Sequence, residues 1–466
     1  MQEATTRALV DALLASADDL PDSTLDTARG LILDVLGVAV AGASTVEGRL
    51  ALQVMTQLGR AGDCAVPGSA QTFDPATAAL VTGTMAYSIG LTDTHSESIT
   101  HPGPSVIPAA LAVGQARGSS DQEILRAVIL GVETVVRIGA VVNPSHRGRG
   151  FHPTATCNPF GAAVAAACLL GADRQQMLWA LGLAGSMAGG LYEFRNEGAM
   201  LMALHGGWPA SSGVTAAYLA MSGFTGPSTV LEGPEGFFRA FADESDPQKL
   251  MPARSATLGI EEVSLRPYCA CRYAHAGVDA LQRMGAVGGG VNPDQGVDPD
   301  QVERVTVWTH RTAVEQETEP TTLVSARLST CFTIALAMVH GPRLSEVTEA
   351  DLADTRVLDL ARRVEVLEDP ELTALFPKRW PCRVRVRMRD GEVREQRVDI
   401  PKGEPDNPLT AAELEQKFRR LAEPSLGAGR ADRVIGAVLD GRGSGGAALA
   451  SVLESSALAA EEGEVA

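Results

Sequence analysis

Apolar residues recur at three- and four-residue spacing from about residue 20 to about residue 260, the period of helices with one buried face. In "PDSTLDTARGLILDVLGVAVAG", Leu25, Ala28, Leu31, Ile32, Val35, Leu36 and Ala39 share one face. A helix is expected there, opened by Pro21 and an Asp22-Ser23 cap. Segments 76–89, 105–117, 121–140, 159–170, 175–192 and 207–222 read the same way, the fourth starting near Pro159. Strand-like alternation is almost missing from this half.

The texture changes after residue 260. "QVERVTVWTH" (301–310) puts Val302, Arg304, Thr306 and Trp308 on one side and Glu303, Val305, Val307 and Thr309 on the other. "CRVRVRMRDGEVREQRVDI" (382–400) alternates Val with Arg around Asp390-Gly391, a pair that favours a type I′ hairpin turn. A helix is expected over 325–341, a flexible surface loop over 288–301, and a further helix over 410–423 before an acidic tail. The fold class is therefore mainly α. A large all-helical domain spans 1–266, a smaller α+β domain is inserted over 267–405, and 406–466 returns to the helical domain.

Composition refines this picture. With 45% hydrophobic residues but only 4% aromatic, and 48 glycines, the apolar content is small side chains suited to close helix contact. The net charge of −18 lacks the basic footprint of a nucleic-acid binder. No apolar run reaches the roughly 20 residues of a bilayer span, and the start lacks the features of a signal peptide. Seven scattered cysteines fit a reducing compartment, so a cytoplasmic location is expected. Cys168 and Cys331 are expected in the core. Neither a nucleotide loop nor a metal-ligand spacing occurs, so no metal or other cofactor is expected.

Four segments concentrate polar side chains: "LTDTHSESITHPG" (91–103), "SHRGRGFHPTATCNPFGAA" (145–163), "YEFRNEGAMLMALHGGW" (192–208) and "SLRPYCACRYAHAG" (264–277). Each histidine has a bland reading, a local hydrogen bond to a carbonyl, and His146, His310 and His340 are assigned to structure. Three of the segments nonetheless set histidines beside Pro or Gly at helix starts. Helix N-termini attract anions, arginines grip carboxylates, and imidazole exchanges protons near neutrality. The combination suits a cleft that binds a small carboxylate and moves protons on carbon.

"THPG" followed by "VIPAALAVGQ", "RGFHPTAT…FGAAVAAACLLG", "LHGGW…GFTGP" and "RPYCACRYAHAGVDAL" resemble the MmgE/PrpD family over about residues 20–420. That family includes 2-methylcitrate dehydratases, cis-aconitate decarboxylases and iminodisuccinate epimerases. The resemblance implies a helical domain with an α+β lid, a homodimer, and chemistry at a carbon next to a carboxylate without a cofactor. Carried over residue by residue, it implies catalytic roles for His101, His152, Asp93 and Thr94. His101 and His152 would divide the acid and base steps, Asp93 would orient a histidine, and Thr94 would bond the substrate. His205, Arg266, Cys271, Arg272, His95, Met202 and Phe332 would line the substrate site, His95 also stapling its own loop.

Three departures stand out. Gly90 and Thr92 replace two acids, Leu201-Met202 stand where the family has Thr-Lys, and Phe332 stands where a tyrosine is common. All reduce polarity, so a substrate less charged and more hydrophobic than 2-methylcitrate is expected, such as a β-hydroxy acid or acyl precursor. Dehydration is the expected reaction. Epimerisation and decarboxylation share its deprotonation chemistry, and a binding protein that has lost turnover is the alternative of a different class.

Overall fold

The computed structural model describes residues 5–16, 20–251, 257–288, 297–315, 317, 319–342, 347–376 and 378–439. Most of the loop expected over 288–301 and the whole acidic tail lie outside the described residues. The chain is mainly helical with one small mixed sheet. It divides into two compact units. The first holds the residues up to Phe194, Met200–Val263 and those from Thr410; the second holds Arg195–Ala199 and Ser264–Leu409.

In the first unit the helix Pro75–Ser88 is a central rod. Its start is strongly specified: Pro75 needs no donor in the first turn, and the Asp74 carboxylate accepts from the Ala76 and Thr77 amides. The helix Leu201–Met221 packs along it, with Gly206 and Gly207 against its backbone. A Cβ on Gly207 would lie 2.1 Å from the Leu80 carbonyl, and one on Gly206 2.4 Å from that of Gly83. The "HGGW" glycines thus let the backbone next to His205 approach the rod. Helices Gly103–Arg117, Asp121–Val142 and Pro153–Leu169 complete the interior.

Several boundaries differ from the sequence reading. The fourth helix begins at Pro153, not near Pro159, and Pro108, Pro159 and Pro209 all sit inside helices. An interior proline costs ~3 kcal/mol in an isolated helix. The Pro153–Leu169 helix is almost wholly buried, so its packing outweighs that cost, and Pro159 is not the helix start that the sequence suggests. The last of these helices starts at Leu201 rather than 207, and Arg174–Ser186 stops short of Gly189-Gly190. The Asp22–Gly42 helix takes Pro21 as its N-cap without a side-chain capping bond, so Asp22 serves the first turn by charge instead. A short strand, Ala61–Cys64, bridges to Phe73.

After the second unit, Thr410 opens the helix Ala411–Leu426 with a reciprocal Glu413 capping box. This helix returns a buried lysine to the interior: Lys417 Nζ lies 2.5 Å from the Asp34 carboxylate and donates to the Leu91 carbonyl at 3.1 Å. A residue near the C-terminus thereby anchors the start of the "LTDTH" loop.

The second unit is built on a four-stranded sheet ordered Val364–Glu368, Val302–Thr309, Cys382–Met388, Val393–Val398. The first pair is parallel and the others antiparallel. Val302, Val305, Val307 and Thr309 are all buried, because a register shift between Val302 and Arg304 turns Val302 to the inner face. The hairpin is not a type I′ turn. Only Gly391 has positive φ, at 91°, and its amide donates to the Met388 carbonyl, forming a three-residue loop with a glycine bulge. The helix expected over 325–341 is broken into Leu323–Leu328 and Thr330–His340, since Ser329 caps the second piece by accepting from the Phe332 amide. Cys168 and Cys331 are half-buried rather than core residues. No single helix among the described residues is long and apolar enough to cross a bilayer.

Candidate active site

The loop before Gly103 is folded on itself: the His95 amide donates to the Thr100 carbonyl at 2.9 Å. His95 is the internal staple. Its Nδ1 accepts from the Ser98 amide at 3.2 Å, and its Nε2 faces Glu262 at 3.5 Å. Asp93 works in two directions. Its carboxylate accepts from the Gly103 amide at 2.9 Å, while its carbonyl accepts the His101 Nδ1 proton at 2.6 Å. The Asp93 main chain thus orients the His101 ring. Thr94 Oγ1 lies 3.2 Å from the same nitrogen. With Nδ1 protonated, the basic lone pair of neutral His101 is on Nε2. The helix Pro153–Leu169 holds the backbone of His101 in place. Thr154 accepts from its amide at 3.2 Å and Asn158 donates to its carbonyl at 2.8 Å.

His152 is the N-cap residue of that helix, and its amide donates to the Gly190 carbonyl at 3.1 Å. Its ring bridges two partners. Nδ1 is 2.8 Å from Nδ1 of His205, and Nε2 is 3.4 Å from the Tyr87 hydroxyl. The Tyr87 ring in turn lies 5.4 Å from that of His101, centre to centre. His101, Tyr87, His152 and His205 thus form one contiguous series, delivered by the loop, the central rod, a helix start and the first turns of Leu201–Met221. Tyr192 and Phe194 stand edge-on to His152 at 5.1 and 5.3 Å.

Burial sets the charge of this series. It holds His205 at about 4, and it holds His152 well below the ordinary imidazole value with help from His205, His101 and Arg147. Both are neutral near pH 7. In their 2.8 Å contact one Nδ1 must donate and the other accept, so a proton added at one end can be relayed to the other. Among the described residues, no three His, Cys, Asp or Glu side chains are grouped as a metal-binding set.

His146 belongs to structure. Its Nδ1 donates to the Phe241 carbonyl at 2.9 Å and its Nε2 accepts from Thr156 at 2.6 Å. Met202 is half-buried in the same helix as His205.

The remaining candidates belong to the second unit. Arg272 and His275 share the helix Arg272–Arg283, for which Cys271 is the N-cap residue. Arg272 is buried against the Glu404 carboxylate and donates to His275 Nδ1 at 3.2 Å, while His275 Nε2 donates to the Ala270 carbonyl at 3.1 Å. Burial and nearby Arg266 push the Arg272 guanidinium down to about 9, so it stays charged at neutral pH. Arg266 and Cys271 are half-buried and Phe332 is fully buried. His310 is also interior, stacked 4.1 Å from Phe376. His340 is on the surface beside Asp354 at 2.6 Å.

Comparison with known proteins places this geometry. The MmgE/PrpD N-terminal domain model matches residues 12–250 and the C-terminal domain model matches 268–441. The chain belongs to the MmgE/PrpD family. A cis-aconitate decarboxylase-like protein of Aspergillus oryzae is 26% identical, with 90% of this chain and 91% of that one covered. Cis-aconitate decarboxylase of Aspergillus terreus is 26% identical over 87% and 86% of the two chains. The human enzyme of that name is 27% identical over 87% and 85%.

Within this family member, sequence reasoning missed Tyr87 and gave Arg147 and Tyr192 no role. Tyr87 carried one faint signal, as the only aromatic in a helix of Ala, Thr and Gly just before the histidine loop.

Proposed function

We propose that this chain is a lyase that moves a proton at the carbon next to a carboxylate of a small organic acid, with His152 and His101 exchanging the proton. The observation that carries the reading is the contiguous series His101–Tyr87–His152–His205, in which His152 and His205 are buried and neutral. Neutral imidazoles accept protons at physiological pH, and the paired rings of His152 and His205 pass them on.

Decarboxylation now ranks ahead of the dehydration expected from sequence, because the similar curated proteins carry decarboxylase names. In that step the bond to the departing carboxylate breaks and its electron pair stays on carbon. A proton delivered through the series then bonds to that carbon, one solvent proton being consumed for each CO2 released. Dehydration remains the second reading. It is favoured by two differently set imidazoles: one is fixed by the Asp93 carbonyl, the other borders a phenol that can donate.

The substrate is proposed to be less charged than 2-methylcitrate. Gly90 sits at φ 72°, where an acidic side chain is disfavoured, and Met202 adds an adaptable apolar surface near His205. The test is a panel of cis-aconitate, 2-methylcitrate and apolar β-hydroxy acids in deuterated water. Loss of CO2, loss of water, or deuterium uptake without either separates decarboxylase, dehydratase and epimerase. Ordinary turnover of 2-methylcitrate or cis-aconitate would remove the low-charge substrate, and silence across the panel would favour a binding protein.

The homodimer is also proposed. Its support is the outward apolar face of Leu201, Leu204, Trp208 and Tyr218, with Trp208 52% exposed, and sedimentation of the purified chain checks it.

A further inference from the structure

The His152–His205 pair is buried and neutral, so it supplies little attraction for a carboxylate. The first unit does provide a cation beside it. Arg147 lies in the short helix Ser145–Gly148, five residues before His152, with its guanidinium carbon 4.8 Å from the centre of the Tyr192 ring. The same ring meets His152 edge-on at 5.1 Å. Arg147 is thus stacked on the Tyr192 ring, and that ring also touches His152.

The frame around this stack is firmly tied. His146 is bonded at both nitrogens, the Tyr192 amide donates to the Gly150 carbonyl at 2.8 Å, and the His152 amide donates to Gly190. The Ser145 hydroxyl accepts from the Asp243 and Glu244 amides, both at 3.0 Å. A guanidinium that stacks by its flat face keeps its N–H edge available, and that edge matches the two oxygens of a carboxylate.

Its charge is also uncommitted. Among the described residues no carboxylate pairs with Arg147, although neighbouring Arg149 faces Asp243 at 3.4 Å and Arg137 binds Glu133 at 2.7 Å. In a chain with 57 acidic and 39 basic residues, an arginine left without an acid beside a buried histidine is unexpected for a purely structural role. Its field is felt at the site, since it contributes to holding the His152 imidazole down.

We propose that Arg147, presented on the Tyr192 ring, is the anchor for a substrate carboxylate next to His152. This rests on the reading of the site as one for organic acids. The anchor fixes which carbon faces the imidazole: the one adjoining the anchored carboxylate lies toward His152, and the rest of the molecule extends away from Arg147.

The test is calorimetric binding of two unreactive probes, tricarballylate and hexanoate, with hexanamide as the uncharged control, to the full chain and to Arg147→Gln, Arg147→Lys and His152→Ala. The unmodified protein is expected to bind at least one acid and to prefer hexanoate to hexanamide. Arg147→Gln should weaken acid binding about tenfold to a hundredfold and erase that preference. Arg147→Lys should recover only part of it, because an ammonium keeps the charge without the planar fork. His152→Ala should still bind. The half-buried position of Arg147 makes an unchanged melting temperature the expected control. Equal acid binding by Arg147→Gln and the unmodified chain overturns the anchor and leaves the lyase reading standing. Failure of the unmodified chain to bind either acid overturns both.

Discussion

The two units use the same residue types to opposite ends. In the first, His152 bonds to His205 at 2.8 Å and faces the Tyr87 hydroxyl, while His101 is oriented by the Asp93 carbonyl. In the second, His275 is held between Arg272 and a carbonyl while Arg272 is engaged by Glu404. Buried imidazoles bonded to each other keep a transferable proton, whereas an imidazole serving a buried ion pair is part of the framework. Residue identity alone does not separate a proton relay from a strut; the partners do.

The sharpest way to break this contrast is to delete the relay. His152→Ala and His101→Ala should each lower turnover about 10²–10⁴-fold. Circular dichroism and melting of the variants are expected to stay close to those of the parent. The complementary change is Glu404→Gln in the second unit, which strips a buried guanidinium of its counter-charge. It should cost about 3–5 kcal/mol of stability by denaturant titration, with KM unaltered. A raised KM at full stability would instead return Arg272 to substrate binding.

Acid provides a third probe. Burial holds His146, His205 and His310 at about 4, against 6.5 for free imidazole. Between those values the unfolded chain takes up protons that the folded chain refuses, so stability falls as pH falls from 6.5 toward 4. Each group contributes on the order of 3 kcal/mol over that window. Unfolding curves at stepped pH should show the loss there and a plateau above it. The smallest effect is expected from His95→Ala. It removes a loop staple worth about 1 kcal/mol and should reduce turnover less than tenfold, which a simple rate comparison checks.

Much of this was legible in the sequence. The helical period before residue 260 and the Val-Arg alternation of 382–388 report burial directly, because each buried face repeats with its own backbone period. The histidine segments were legible as well, since His beside Pro or Gly marks a helix entry. What escaped were features settled by tertiary packing. Pro159 looks like a helix start until the buried helix Pro153–Leu169 absorbs it. Ser329 breaks a helix because its hydroxyl finds the Phe332 amide, a competition that apolar periodicity does not register. Tyr87 and Arg147 are distant in sequence from each other and acquire meaning only where the His152 ring meets both neighbourhoods. Which atom of Asp93 faces the histidine was likewise not legible: its carbonyl accepts the His101 Nδ1 proton while its carboxylate accepts from the Gly103 amide.

The most direct measurement of the central claim is the deuterium content of product formed in deuterated water, compared between the unmodified chain and His152→Ala on whichever acid the panel identifies. Where CO2 is lost, a relay through His152 places one solvent deuteron on the carbon that keeps the electron pair, and where water is lost it exchanges the departing proton of the substrate with solvent. In both cases turnover and labelling collapse together in the variant. Undiminished turnover and labelling in His152→Ala would contradict it.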